Sequence, residues 1–163
     1  MSKVNEIIKL LELEPLEREG GLFKSTYRSP GKADGKDMGS AIFFMLTGEA
    51  YSHLHRLPTD EVYHFYWGDP VELLELLPDG SSNRVVLGSD ILNGQKVQYV
   101  VKAGIWQGSR LIDGGEYALM GTTMSPGFEE SDYEHADNPK ELMEKYPEKK
   151  DLIMKLVGET KYY

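Results

Sequence analysis

A mainly β fold, a small sandwich or barrel flanked by helices, is what this sequence predicts, and three observations predict it. Short apolar or alternating runs recur between Gly- and Pro-containing turns roughly every eight to twelve residues, the rhythm of all-β sandwiches and barrels. Helical spacing of apolar residues is confined to the two ends of the chain. No internal repeat is visible, which argues against a propeller or solenoid. The 163 residues form one domain by size, large enough for a proper core.

Taken in order, Ser2 is an N-cap, and Val4, Ile7, Ile8 and Leu11 recur as one face of a short helix that ends at the Glu14-Pro15 step. Its expected role is to cover one side of the barrel. Glu19-Gly20-Gly21 reads as a turn. Leu22 to Ser29 reads as a strand with Phe23, Ser25 and Tyr27 on one face and Lys24, Thr26 and Arg28 on the other. Pro30 to Gly39, rich in Gly and Asp, reads as a flexible loop. Ala41 to Leu46 is a continuous apolar run between glycines, hence a buried strand. Val71 to Leu77 reads as a further strand, closed by the Pro78-Asp79-Gly80 turn. Arg84 to Leu87, Gln98 to Val101 and Trp106 to Leu111 follow as short strands, and Asp113-Gly114-Gly115 reads as a hairpin turn from which Tyr117 to Met124 returns. An acidic segment (Glu129, Glu130, Asp132, Glu134, Asp137) leads to two helices. One is opened by Asn138-Pro139, and the second is started by Pro147 and carries Leu152, Ile153, Leu156 and Val157 on its apolar face. Both are expected outside the barrel.

Chemistry concentrates in Tyr51 to Gly68, which holds three of the four histidines beside two acids, an arginine and several aromatics. His53 and His55, two apart on a strand, leave the same face. Pro58-Thr59-Asp60 reads as a turn into a second strand from Glu61, so His53, His55 and Glu61 converge if those two strands pair. His64 then faces away with Val62 and Tyr66, and His135 lies on the surface. His-x-His followed by Glu and, after six residues, Gly resembles the first motif of the cupin superfamily, small jelly-roll barrels. The gap between the second His and the Glu is five residues here, against three or four in the usual pattern. Lys102-Ala103-Gly104-Ile105-Trp106-Gln107 stands where the second cupin motif ends in His, with Gln107 in its place. Together with Glu19-Gly20-Gly21-Leu22-Phe23-Lys24-Ser25-Thr26-Tyr27-Arg28-Ser29 and Ser125-Pro126-Gly127-Phe128-Glu129, the chain is similar over most of its length to one cupin family of bacteria and yeast that lacks an assigned function. The resemblance implies a double-stranded β-helix (jelly roll) and a homodimer.

The charge of −9 argues against a nucleic-acid surface, since phosphate binding depends on clustered Lys and Arg. The absence of cysteine excludes disulfides, thiolate nucleophiles and zinc-thiolate sites. No apolar run approaches the roughly 20 residues of a membrane helix, and no charged-then-apolar signal segment opens the chain, so a cytoplasmic protein is expected. The expected activity is small-molecule binding, with acid/base isomerase or epimerase chemistry on a sugar-like or carboxylated compound by His53, His55 and Glu61. Histidine suits proton transfer near neutral pH. The competing enzyme reading is a metal-dependent oxygenase or lyase, in which His53, His55 and Glu61 with Gln107 as a weak fourth ligand hold a divalent metal. The third is a module that only binds. Lys24, Tyr27, Arg56, Tyr63, Trp106 and Gln107 are the expected ligand contacts. Lys24, Arg28, Arg56 and Arg110 lie around the motif strands, and two readings stand: Arg56 and one of the others rim the pocket mouth and favour an anionic ligand, or each arginine pairs with a nearby acid such as Asp60 or Asp113.

Overall fold

Residues 1–158 are described by a computed structural model. Helix α1 (Lys3–Leu10) begins as its sequence predicts, the Ser2 hydroxyl accepting from the Asn5 N–H at 3.3 Å. Its Val4 and Ile7 join Leu13, Leu22, Met45 and Tyr117 in one apolar cluster. The helix stops before Glu14-Pro15, which form a short strand β1 (Glu14–Pro15) paired with β2 (Leu22–Arg28). The expected flexible loop contains a hairpin, β3 (Lys32–Ala33) and β4 (Lys36–Asp37), with Asp34 and Gly35 both at positive φ. Asp-Gly at the tip favours such a turn, a signal the Gly- and Asp-rich composition obscured. Then follow β5 (Ser40–Thr47), β6 (Ser52–Arg56), β7 (Glu61–Gly68), β8 (Val71–Leu76) and β9 (Ser82–Leu87). The chain continues with β10 (Gln98–Val101), β11 (Trp106–Leu111), β12 (Tyr117–Met124) and β13 (Glu134–His135). It ends in the helices α2 (Pro139–Lys145) and α3 (Lys150–Lys155).

Two antiparallel sheets make the jelly roll. One has the order β1-β2-β5-β12-β7-β10 and the other β13-β6-β11-β8-β9. The hairpin expected between β11 and β12 does not form, and β6 and β7 do not pair, because each of these connections crosses from one sheet to the other. The Asp60 carboxylate anchors the first crossing by accepting from the Ala103 N–H at 2.8 Å and pairing with Lys102. Asp69 anchors the second by accepting from the Glu116 and Tyr117 N–H groups. Between the sheets, Phe44, Phe65, Leu73, Leu87 and Met120 form the core, which burial of apolar surface holds together. Leu54, Leu74 and Leu76 point the other way and are covered by Tyr146, Ile153 and Leu156 from the C-terminal helices. Strand β8 is therefore buried on both faces, its two buried carboxylates being paired, Glu72 with Arg84 and Arg110 and Glu75 with the Tyr99 hydroxyl.

Two of the strand bulges change which residues face the cavity and its surroundings. In β2, Ser25 is opposite Ile42 and Tyr27 opposite Ala41, so Thr26 is an extra residue. In β6, Ser52 is opposite Ser109 and His55 opposite Gln107, leaving two residues of β6 against Gly108 alone. A bulge interrupts the two-residue alternation of a strand. Gly108 fits because a Cβ there would lie 3.2 Å from the Ser52 carbonyl and from the Leu156 side chain.

Candidate functional site

The open end of the sandwich holds a cavity of about 320 Å³, walled by the segment before β2, by β2 and β5, and by the stretch Phe128 to Tyr133. It continues inward to a hollow of about 50 Å³ that reaches Glu61, Thr122 and Met124. Glu19 and Phe23 line both. The Gly20-Gly21 pair puts Glu19 there. Both glycines take positive φ, and a Cβ on Gly21 would lie 2.6 Å from the Phe44 ring. The chain thereby passes close against the barrel wall. The Glu19 carbonyl accepts from the His53 N–H at 2.7 Å, and its carboxylate accepts from the Ser52 hydroxyl at 3.2 Å.

Across the five-stranded sheet, the register places His135, His55, Gln107, Glu75 and Asn83 opposite one another in a single row. Directly opposed residues of antiparallel strands share a face. From the six-stranded sheet, Tyr63 donates to the Gln107 amide oxygen at 2.7 Å, Gln107 donates to Glu61 at 3.1 Å, and Tyr99 donates to Glu75 at 2.7 Å. Glu61 thus sits at the cavity floor, held by an amide that is itself fixed. Burial pushes the Glu61 carboxyl up to about 7, the neighbouring Glu19 charge adding to the effect while His55 and the Tyr63 and Thr122 hydroxyls oppose it. Burial likewise raises Glu19 to about 7, opposed by the Ser52 hydrogen bond.

His55 is completely buried. Its Nδ1–H donates to the His53 carbonyl at 2.7 Å, which leaves Nε2 as a lone pair without a hydrogen-bond partner, 3.8 Å from a Glu19 oxygen. Burial lowers its pKa, favouring the neutral ring, against the opposing pull of Glu61 and the His53 carbonyl. The ring stacks on Tyr133 with centroids 5.2 Å apart.

The residues singled out in the sequence separate into two sets. Glu61, His55, Tyr63 and Gln107 come together, although across the sandwich rather than within a hairpin. His53 is held elsewhere: its Nδ1–H donates to the Arg18 carbonyl at 3.0 Å and its ring lies edge-on to Tyr51 and His135. His135 is half-buried in this cluster rather than at the surface, because β13 pairs it with His55. His64 faces outward as expected, against Thr123 and Tyr66. Tyr27 is 56% exposed and Lys24 pairs with Glu12 on the exterior; the bulge in β2 brings Arg28 to the cavity instead. Arg56 makes a two-pronged pair with Glu134 at 2.7 and 2.8 Å and lies over the Trp106 ring, outside the barrel. Trp106 packs with the C-terminal helices. Asp60 is taken by Lys102 and Ala103, and Arg110 pairs with Glu72 and Asp113.

A divalent metal does not fit the expected donor set. Among the described residues no group of three or more His, Asp and Glu side chains is arranged to hold one. Gln107 has both ends of its amide engaged, and His53 is drawn off toward Arg18. Glu19, absent from the expected site, is the functional candidate that sequence reasoning missed. Its signal was the Gly-Gly pair, which lets the preceding residue enter a wall too tight for a side chain.

The sequence pattern of the Cupin superfamily (DUF985) matches residues 5–136. The chain is similar to protein SO0799 of Shewanella oneidensis, 33% identical over 97% of this chain and 99% of that one, with a TM-score of 0.88. It is also similar to a hypothetical protein of Leishmania major, 32% identical over 97% and 100% of the two chains, TM-score 0.87. The uncharacterized protein YML079W of Saccharomyces cerevisiae is 26% identical over 77% of this chain and 71% of its own. A Bacillus subtilis oxalate decarboxylase variant, 13% identical, shares the fold with a TM-score of 0.58 over 93% of this chain and 39% of its own.

Proposed function

We propose, from the premise that this chain belongs to the Cupin superfamily (DUF985), that its cavity binds a small polar metabolite and moves a proton on it, as an acid/base isomerase or epimerase does. One observation carries this reading: two buried carboxyl groups, Glu19 and Glu61, line the same cavity, each shifted up to about 7. General acid–base catalysis works best when the pKa of the group lies near the working pH. With both carboxyls near 7 and the Glu19 charge holding Glu61 up, a form with one carboxylate and one carboxylic acid is accessible around neutral pH. The carboxylate takes a proton from a carbon next to a carbonyl, and the acid returns one. Return to the opposite face of that carbon gives an epimer, and return to a neighbouring atom gives an isomer. The pair regains its single proton in either case.

His55 stands behind Glu19, its Nε2 3.8 Å from a Glu19 oxygen, rather than lining the cavity, and Ser52 donates to the Glu19 carboxylate. Gln107, itself fixed by Tyr63, holds Glu61. The test is incubation in deuterium oxide with a panel of sugar-like and carboxylated compounds, reading deuterium uptake at carbon by mass spectrometry. Glu61→Gln is expected to lower uptake by at least about a hundredfold while leaving binding in place, the usual range for loss of a general acid or base. Binding without uptake in the unmodified protein would overturn the enzymatic reading and leave a ligand-binding module.

A further inference from the structure

The chain has five arginines. Four hold a carboxylate: Arg28 with Asp37 at 2.7 Å, Arg56 with Glu134 at 2.7 Å, Arg84 with Glu72 at 2.7 Å and Arg110 with Glu72 at 2.6 Å. Arg18 has no such partner within 4.0 Å among the described residues, and it lines the cavity mouth together with Arg28, immediately before Glu19 in the chain. Its backbone is in the left-handed region at φ +68, a costly conformation for a side chain larger than glycine. That conformation is held in part by the His53 ring, which donates to the Arg18 carbonyl. The guanidinium lies 4.8 Å from the centre of the Tyr133 ring, whose stacking partner is His55. A cation stacked on an aromatic face keeps its edge donors available for hydrogen bonds.

We propose that Arg18 is the specificity-determining residue of the cavity and binds the carboxylate of a sugar-sized monoanionic ligand, with Tyr133 holding the guanidinium in place. This rests on the reading of the cavity as a small-molecule site. Arg–carboxylate contacts are commonly two-pronged, so the anchored group also sets the ligand's orientation toward Glu19 and Glu61. Glu17, Glu129 and Glu130 line the same mouth, which selects against more highly charged anions. A monocarboxylate meets one uncompensated cation, whereas a phosphate dianion meets the same cation and more repulsion. Arg28, the other arginine of the mouth, is already occupied by Asp37 and the Phe128 carbonyl.

The test is calorimetric titration of the full chain with glucuronate, glucose and ribose 5-phosphate, together with nuclear magnetic resonance of the arginine Nε–H groups during a glucuronate titration. Glucuronate is expected to bind about tenfold tighter than glucose, the worth of one charge-assisted contact, and tighter than ribose 5-phosphate. It is expected to shift the Arg18 resonance saturably while those of Arg84 and Arg110 stay put. Arg18→Ala should bring glucuronate and glucose within about twofold of each other, and Arg18→Lys should restore part of the preference. Equal binding of glucuronate and glucose overturns the proposal. So does a preference that survives Arg18→Ala, a stronger response to ribose 5-phosphate, or an Arg18 resonance that glucuronate leaves unmoved. An Arg18-dependent preference without deuterium uptake for any compound leaves the anchor standing and removes the proton-transfer reading.

Discussion

At the scale of single residues, the site depends on polar groups whose partners are themselves fixed. Gln107 is the clearest case, since it accepts from Tyr63 and donates to Glu61 while buried between the sheets. Replacing it by leucine keeps the bulk and removes both contacts, so the Tyr63 hydroxyl and a Glu61 oxygen each lose a partner. Leaving one buried polar group unsatisfied costs about 1–3 kcal/mol. Gln107→Leu is therefore expected to lower stability by roughly that amount or more, measured by urea unfolding with an unchanged m-value. Ser52 and His55 make a second point. They are three apart, yet both reach Glu19, at 3.2 and 3.8 Å, because the β6 bulge accommodates an extra residue between them.

Among the elements, the turn into β2 has the tightest requirement. Gly21 combines φ +73 with a Cβ position 2.6 Å from Phe44, a ring in the middle of the main core cluster. Gly21→Ala meets both backbone strain and overpacking, and is expected to destabilise by about 2–4 kcal/mol. Because the same turn carries Glu19, loss of the deuterium uptake proposed above should accompany the loss of stability. The hairpin β3–β4 serves the opposite wall. Lys36 pairs with Asp132 at 2.6 Å, and the Asp37 carbonyl accepts from the Gly127 N–H at 2.8 Å, which ties the stretch around Phe128 to the barrel. A segment that composition alone reads as loose thus becomes part of the cavity frame.

Over the whole molecule, the buried carboxyl pair makes stability depend on pH. Glu19 and Glu61 rise from 4.5 unfolded to about 7 folded, so their protonated forms are favoured in the native state. Their contribution is fully present below pH 4.5 and is lost as pH rises through about 7. Burial lowers His53, His55 and His135, which works in the other direction and costs stability as pH falls below 6.5. Comparison with Glu19→Gln isolates the carboxyl term. The unfolding free energy of the variant is expected to gain on that of the unmodified protein as pH rises from 4.5 through about 7, approaching on the order of 3 kcal/mol once Glu19 is fully ionised above that pH, measured by urea unfolding at each pH. A constant difference across that range would show that Glu19 titrates as an exposed acid does. At this scale the sequence alone determined the mainly β character and the flanking helices, its resemblance to the cupin superfamily implied the jelly roll, and it singled out Glu61, His55, Tyr63 and Gln107, which the fold brings together. Turn residues, apolar period and motif spacing are local properties of the chain, and they sufficed for that much. Only the tertiary structure decided that β6 and β7 lie in opposite sheets, that bulges turn Tyr27 out and Arg28 in, that Arg56 belongs to Glu134, and that Glu19 and Arg18 stand at the cavity. Strand partners, bulges and ion pairs join residues far apart in the chain, and their choice is made by packing the two sheets against each other, which no short stretch of sequence encodes.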